Sequence, residues 1–190
     1  LIYSDMAKVS IGIPAIKPRF LHDAVKSCLE QSFKDFELII FNNNQVPEIK
    51  KQIDQIIDGF DDSRIVYISE NKSEGVIHDW NAVLRKATSE FFVLFSDDDI
   101  LEPEFLHEML LLVEKYPYTD IFHCRVRIID ENSTFINYSS SCPEWETAIN
   151  FIWHRMNSFR THYVPEFFCR TASLKNVGGF VDFPLAWCSD

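Results

Sequence analysis

The stretch Phe91-Phe92-Val93-Leu94-Phe95-Ser96-Asp97-Asp98-Asp99 decides the fold. Five consecutive apolar residues are too few for an ordinary helix and suit an interior strand, buried on both faces as strands of parallel sheets are. Three carboxylates directly behind such a strand leave the core together and repel one another. A divalent cation with oxygen ligands is the natural compensation, held by one or two carboxylates with water and substrate phosphates completing its shell. The plainer reading of the triplet is a solvated turn capping the next helix, since Asp is favoured in both places.

Upstream, the same kind of segment recurs. Strands are predicted at 8–13, ending at Pro14, at 36–41 and at 65–69. Helical spacing of apolar residues is found at 20–31, at 47–58 and after Gly75, where Val76, Ile77, Trp80, Val83, Leu84 and Ala87 share a face. Downstream, Pro103 opens another helix with Phe105, Leu106, Met109 and Leu110 turned inward. This alternation predicts an α/β fold: an open, mostly parallel twisted sheet flanked by helices. After Tyr116 the pattern changes to strands at 120–129 and 134–138 joined by a turn, a helix at 144–159 and a strand at 165–170. A few antiparallel strands are therefore expected in the C-terminal part. No repeat or linker divides the chain, so residues 1–190 read as a single domain, with 1–6 as a leader and a cut expected just past Asp190.

Composition narrows the partners. The chain has 190 residues, 46% of them hydrophobic with 17 Phe, enough for a full core. Its net charge of −11, with no Lys/Arg stripe, argues against nucleic acid. A phosphorylated small molecule remains accessible where a cation neutralises the phosphates. Five glycines form neither a G-x-G-x-x-G nor a Walker loop, so the usual backbone cradle for phosphates is missing and a metal is needed in its place. The cysteine count, five, is odd and there is no C-x-x-C, which points to reduced thiols and a cytoplasmic location. No apolar run approaches the roughly 18 residues of a transmembrane segment. The stripe Ile149, Ile152, Trp153, Met156 and Phe159 reads first as core packing, leaving peripheral membrane association open. The six histidines form no ligand pair; they read as structural or surface residues, with His78 the one site candidate.

Ligands of open parallel sheets bind beyond the carboxyl ends of the strands, where loops diverge. Residues 14–17, 42–44 and 97–99 all lie at such ends. The string VSIGIP at 9–14, followed by FLHDAVKSCLEQSFKDFELII at 20–40, resembles the opening of the family 2 glycosyltransferases of the GT-A fold. Asp97-Asp98-Asp99 before Ile-Leu-Glu-Pro is similar to their D-x-D region, and Gly178-Gly179-Phe180 leading to Asp190 resembles their late GGF segment and its catalytic carboxylate. The resemblance runs through almost the whole chain from Val9.

It implies that Pro14, Ala15 and Ile16 line the nucleotide pocket and that Asn42 or Asn43 stands where the family commonly has a base-facing aspartate. An asparagine there can accept the imide N–H of uracil or thymine; the alternative for the Asn run is a plain turn. Asp97 falls near the ribose or the metal, Asp98 on the principal ligand of Mn²⁺ or Mg²⁺, and Asp99 in the metal shell or at the helix cap. Trp80 takes the place of a common arginine, and Asn81 reads as a satisfied core amide or, less simply, a residue shaping the donor loop. Asp190 corresponds to the general base of an inverting transfer, from a nucleotide-sugar donor, UDP-sugar favoured, to a carbohydrate or lipid-linked acceptor hydroxyl in polysaccharide or lipopolysaccharide assembly. The alternatives are a nucleotidyltransferase, for which Lys17 and Arg19 are a sparse basic loop, and a non-catalytic nucleotide-sugar-binding module, favoured by the Asn and Trp departures.

Overall fold

Strand β1 (Val9–Ala15) is buried along its whole length because side chains alternate between two filled cores. The structure, a computed structural model, describes residues 7–71 and 74–183. On one face Val9, Ile11 and Ile13 meet helix α1 (Leu21–Leu29), which buries Leu21, Ala24, Val25 and Cys28. On that face too lie strand β2 (Phe36–Asn42) through Leu38 and Ile40, and helix α2 (Pro47–Asp58) through Ile53 and Ile57. Strand β3 (Ile65–Ser69) is followed by helix α3 (Val76–Lys86), which covers the opposite face with Ala82, Val83 and Leu84 against Ile39 and Phe41. Gly12 permits that approach: a Cβ there would come within 2.9 Å of Val83. Strand β4 (Phe91–Leu94) sends Phe91 and Val93 to the first core and Phe92 and Leu94 to the second, and helix α4 (Phe105–Lys115) closes the first with Leu106 and Met109.

Strands β5 (Ile121–His123), β6 (Arg127–Ile129) and β7 (Phe135–Tyr138) precede helix α5 (Ala148–Met156), strand β8 (Phe167–Arg170) and helix α6 (Thr171–Asn176). The main sheet has the order β3-β2-β1-β4-β8-β5: β1 to β4 are mutually parallel, and β8 runs antiparallel to β4 and β5. The expected α/β architecture, with its antiparallel elements late in the chain, is therefore the one found.

Local departures have local causes. β1 continues through Pro14 rather than ending there, because its pairing with β4 stops at Gly12. Beyond that point it has a partner on one side only, where proline is tolerated. The segment expected as one strand at 120–129 is two: β5 joins the main sheet, whereas β6 pairs with β7 in a separate two-stranded sheet containing a bulge at Ile128/Ile129. Between them the Arg125 guanidinium donates to Ser139 O at 2.8 and 3.0 Å and redirects the chain. The helix expected at 144–159 is shorter, starting behind Thr147, whose Oγ1 accepts the N–H of Asn150 at 3.2 Å. α5 buries none of its residues, so its apolar stripe is not core packing: Ile149 and Met156 are among its exposed side chains. Cys28, Cys124, Cys142 and Cys169 are unpaired thiols, and no helix among the described residues is long and apolar enough to cross a membrane.

Candidate active site

Strand order reverses beside β1, with β2 and β3 to one side and β4 to the other, and at such a switch point the loops leaving the two strands part and open a crevice. The aspartate triplet is placed there. Asp97 is 6% exposed, and its Oδ2 accepts the backbone N–H groups of Ile16 at 2.5 Å and Lys17 at 2.6 Å. One carboxylate thus ties the loop after β4 to the loop after β1. Burial raises the Asp97 carboxyl above its usual range, and the two N–H donors pull it partly back. Asp99 is raised as well, by burial first and then by the charges of Asp98 and Asp97, against a hydrogen bond from Ser96. Asp98 is exposed at the mouth, its side chain 42% accessible and 3.4 Å from Lys17 Nζ. A surface pair of that length contributes little and yields readily to a stronger cation.

The third segment reaches the same point through Asn44, whose Nδ2 donates to Ile16 O at 2.8 Å. Asn42 is fully buried; its amide donates toward Asp54 at 3.0 Å, Tyr67 at 2.8 Å and Lys50 O at 3.2 Å, and its oxygen accepts the N–H of Asn44. Asn43 is 5% exposed, donates to Asp79 at 3.0 Å and accepts from Gln45 at 3.4 Å. Pro14 and Ala15 are buried in β1, and Ile16, 42% exposed, is the first residue past the strand to face outward. His78 Nδ1 lies 3.1 Å from Asp79 and its Nε2 3.9 Å from Glu74, beside the Asn43 contact.

The loop behind the triplet is fixed from α1. Buried Gln31 donates to Glu102 O at 2.7 Å and accepts the N–H of Leu106 at 3.1 Å, while Ser27 Oγ accepts the N–H of Leu101 at 3.0 Å. The GGF segment is fixed from α3: Asn81 Nδ2 donates to Phe180 O at 2.8 Å, and Asn81 Oδ1 accepts the N–H of Phe180 at 3.0 Å. Trp80 packs edge-on against Phe180, ring centroids 5.5 Å apart. Asn81 is therefore a satisfied amide, the first of its two expected readings, and its partner is the GGF segment. Asp190 lies outside the described residues.

Oxygen donors at the triplet, one exposed and two partly withdrawn, fit a hard divalent cation that keeps positions free for phosphate and water. They do not form a closed cage. Among the described residues, the groups of three or more His, Cys, Asp or Glu with ligand atoms within 4.8 Å of one another are His123/Cys142/Glu146 and His123/His162/Glu166. These were not legible in the sequence, where the histidines stand far apart. A cavity of about 800 Å³ lies along β5 and β8, lined by His123, Cys142, Glu146 and Phe151 and reaching Gly179 and Phe180; it does not include the aspartates. The candidate donor site is identified by its clamped carboxylate and by the strand order.

Residues 10–177 match the family described as Glycosyl transferase family 2. The chain is 33% identical over 98 residues to the Campylobacter jejuni GalNAc(5)-diNAcBac-PP-undecaprenol beta-1,3-glucosyltransferase, covering 50% of this chain and 31% of that protein. It is 24% identical over 123 residues to the putative colanic acid biosynthesis glycosyl transferase WcaA of Escherichia coli, covering 62% and 43%. It thus spans less than half the length of either relative. Among solved structures, S. aureus TarS 1-349 in complex with UDP-GlcNAc superposes with a TM-score of 0.70 at 18% identity, covering 92% of this chain and 48% of that one. The mannosyltransferase PcManGT from Pyrobaculum calidifontis, in complex with GDP-Man and Mn²⁺, gives 0.64 at 13%, covering 93% and 48%. Both likenesses concern the fold, which is GT-A. With the strand order, the clamped aspartate and a family match over most of the sequence in agreement, the chain belongs to the family 2 glycosyltransferases.

Proposed function

We propose that this chain binds a nucleoside-diphosphate sugar, a UDP-sugar in preference, in the crevice beyond β1, β2 and β4 and transfers the sugar with inversion to a hydroxyl of a carbohydrate or lipid-linked acceptor. The observation that carries the proposal is the Asp97 carboxylate held by the Ile16 and Lys17 N–H groups, which leaves Asp98 at the mouth of the switch-point crevice. The solved neighbours bound to UDP-GlcNAc and to GDP-Man with Mn²⁺ support the donor class, and the undecaprenol-linked relative supports the acceptor class.

In this reading Pro14, Ala15 and Ile16 form the wall against the nucleoside, and Asn43 or Asn42 takes the position that faces the base. Asp97 orients the Ile16–Lys17 backbone toward the ribose. Asp98, supported by Asp99, holds Mn²⁺ or Mg²⁺, which when bound supplies Lewis-acid stabilisation of the diphosphate leaving group. Asp190 takes the proton of the acceptor hydroxyl as that oxygen attacks the anomeric carbon, so substitution proceeds from the face opposite the diphosphate and inverts the centre. Residues 1–190 act as one domain in the cytoplasm, serving polysaccharide or lipopolysaccharide assembly. Nucleotidyl transfer is the weaker alternative: Lys17 and Arg19 are the two cations of the first loop, each in an exposed pair with a carboxylate, a sparse basic loop for gripping a triphosphate.

The test is a thermal-shift panel of UDP-, dTDP- and GDP-sugars with and without Mn²⁺. Stabilisation should require sugar nucleotide and Mn²⁺ together, be largest for a UDP-sugar and be lost in Asp98→Ala, whereas Asp190→Asn should keep the shift and lose turnover. Equal donor affinity with and without the cation would refute the metal assignment.

A further inference from the structure

His123, at the end of β5, stands in a pocket of ionisable groups that the proposed transfer does not use. Its Nε2 lies 4.0 Å from Glu146 Oε1 and its Nδ1 3.9 Å from Glu166 Oε1. One ligand atom each from His123, Cys142 and Glu146 fall within 4.8 Å of one another. Glu146 is bound through Oε1 to Arg160, leaving Oε2 buried without a partner, and His123 Nδ1 and His162 Nε2 are likewise buried and unpartnered. The His162 and Glu166 side chains are each 2% exposed and Glu146 8%. Buried polar atoms without partners are costly to fold around. Of these atoms, Glu146 Oε2 belongs to a carboxylate that shares a cluster of ligand atoms with His123 and Cys142, and an ion there would satisfy it.

We propose that His123 Nε2, Cys142 Sγ and the Glu146 carboxylate bind a divalent transition-metal ion of the Zn²⁺ class, separate from the cation at Asp98. Imidazole, thiolate and carboxylate together are the donor types of such an ion, and a thiolate disfavours Mg²⁺ or Ca²⁺. Tetrahedral coordination needs ligand atoms about 3.4–3.7 Å apart, so a group whose ligand atoms lie within 4.8 Å of one another, His123 and Glu146 at 4.0 Å, must close by at most about 1.4 Å. Glu166 then accepts the other ring N–H of His123, and His162, 2.5 Å from Glu166, holds that carboxylate in place. Binding replaces the S–H bond of Cys142 by an S–metal bond, and the proton leaves to solvent.

The site has a structural role available to it. α5 buries no residue of its own, and Cys142 and Glu146 lie on the segment that leads into it, so the ion would staple this arm to the sheet edge. All three ligands line the 800 Å³ cavity, toward which the fourth coordination position would open.

The chain, stripped by a chelator, is titrated with Co²⁺. One equivalent should bind with a thiolate-to-cobalt charge-transfer absorption that Zn²⁺ abolishes by displacement. Cys142→Ser should remove the absorption and weaken binding at least tenfold with unchanged far-UV circular dichroism. Glu146→Gln should weaken binding at least tenfold and keep the absorption at saturation. Asp98→Asn and Cys124→Ser should leave the absorption and its affinity unaltered, which separates this site from the proposed donor site. Absence of the band, its survival in Cys142→Ser, or its loss in Asp98→Asn or Cys124→Ser overturns the proposal.

Discussion

Asp97 and Asp98 are adjacent in sequence and opposite in circumstance, and the difference predicts how each tolerates change. Asp97 is buried with two N–H donors on one oxygen, so Asp97→Ala strands both donors and should cost about 1–3 kcal/mol, lowering the melting temperature by about 2–12 °C for a chain of this size. Asp97→Asn can keep an acceptor there, and burial already favours the uncharged form, so its stability should stay within about 1 kcal/mol of the parent. Urea denaturation of the two variants checks this; equal stability of Asp97→Ala and the parent would remove the clamp from the account. The position of the triplet was legible because an apolar strand runs into it. Its partners were not, since backbone N–H groups carry no residue signature. The three asparagines after β2 could not be told apart for a similar reason: identical amides are sorted by what surrounds them. Asn42 turns inward to Asp54 and Tyr67, Asn43 to Asp79, and Asn44 to Ile16.

Between elements, the joint of α3 with the GGF segment is the most exposed to a single methyl group. Gly178 and Gly179 both have positive φ, 94° and 79°, but a Cβ on Gly178 meets nothing, whereas one on Gly179 would lie 2.3 Å from Asn81 Oδ1. Gly178→Ala should therefore cost only backbone strain, about 1–2 kcal/mol. Gly179→Ala adds displacement of the Asn81 clamp and should cost about 2–4 kcal/mol; equal costs in urea denaturation would mean that the clamp contributes nothing. A second joint is pH-sensitive. The Arg64 guanidinium beside Asp62 lowers that carboxyl from 3.8 to about 2, while also donating to Leu29 O at 3.1 Å. A depressed carboxyl contributes stability above its unfolded value, lost as pH falls from 3.8 toward 2. Asp62→Asn should melt about 2–4 °C below the parent near neutrality, and the gap should close by pH 2; a gap independent of pH would rule out the ion pair as its cause. Elements with a full hydrophobic period, such as α2 and β3, were readable to the residue. Failure came where one run of residues serves two sheets: nothing in the alternation of 120–129 marks the turn that the Arg125–Ser139 contact imposes. The α5 stripe failed because periodicity reports a face without reporting what lies against it.

At the scale of the whole molecule, the net charge of −11 sets the sign of every long-range interaction with a diphosphate. Without a divalent cation, a nucleoside-diphosphate sugar approaches a surface of its own sign, and added salt should strengthen its binding by screening that repulsion. With Mn²⁺ bound at Asp98, the charge nearest the phosphates is positive, and added salt should weaken binding by screening an attraction. The proposed site therefore predicts that the salt dependence of donor affinity reverses sign on adding Mn²⁺, measured by calorimetric titration between about 0.05 and about 0.5 M NaCl. Asp98→Asn should show the metal-free sign even with Mn²⁺ present, because the cluster at His123 is separate from the aspartates that meet the phosphates. A salt dependence of the same sign with and without Mn²⁺ would mean that the donor is held mainly by contacts other than its charge, and the aspartate triplet would be left with the structural role of tying the loop after β4 to the loop after β1.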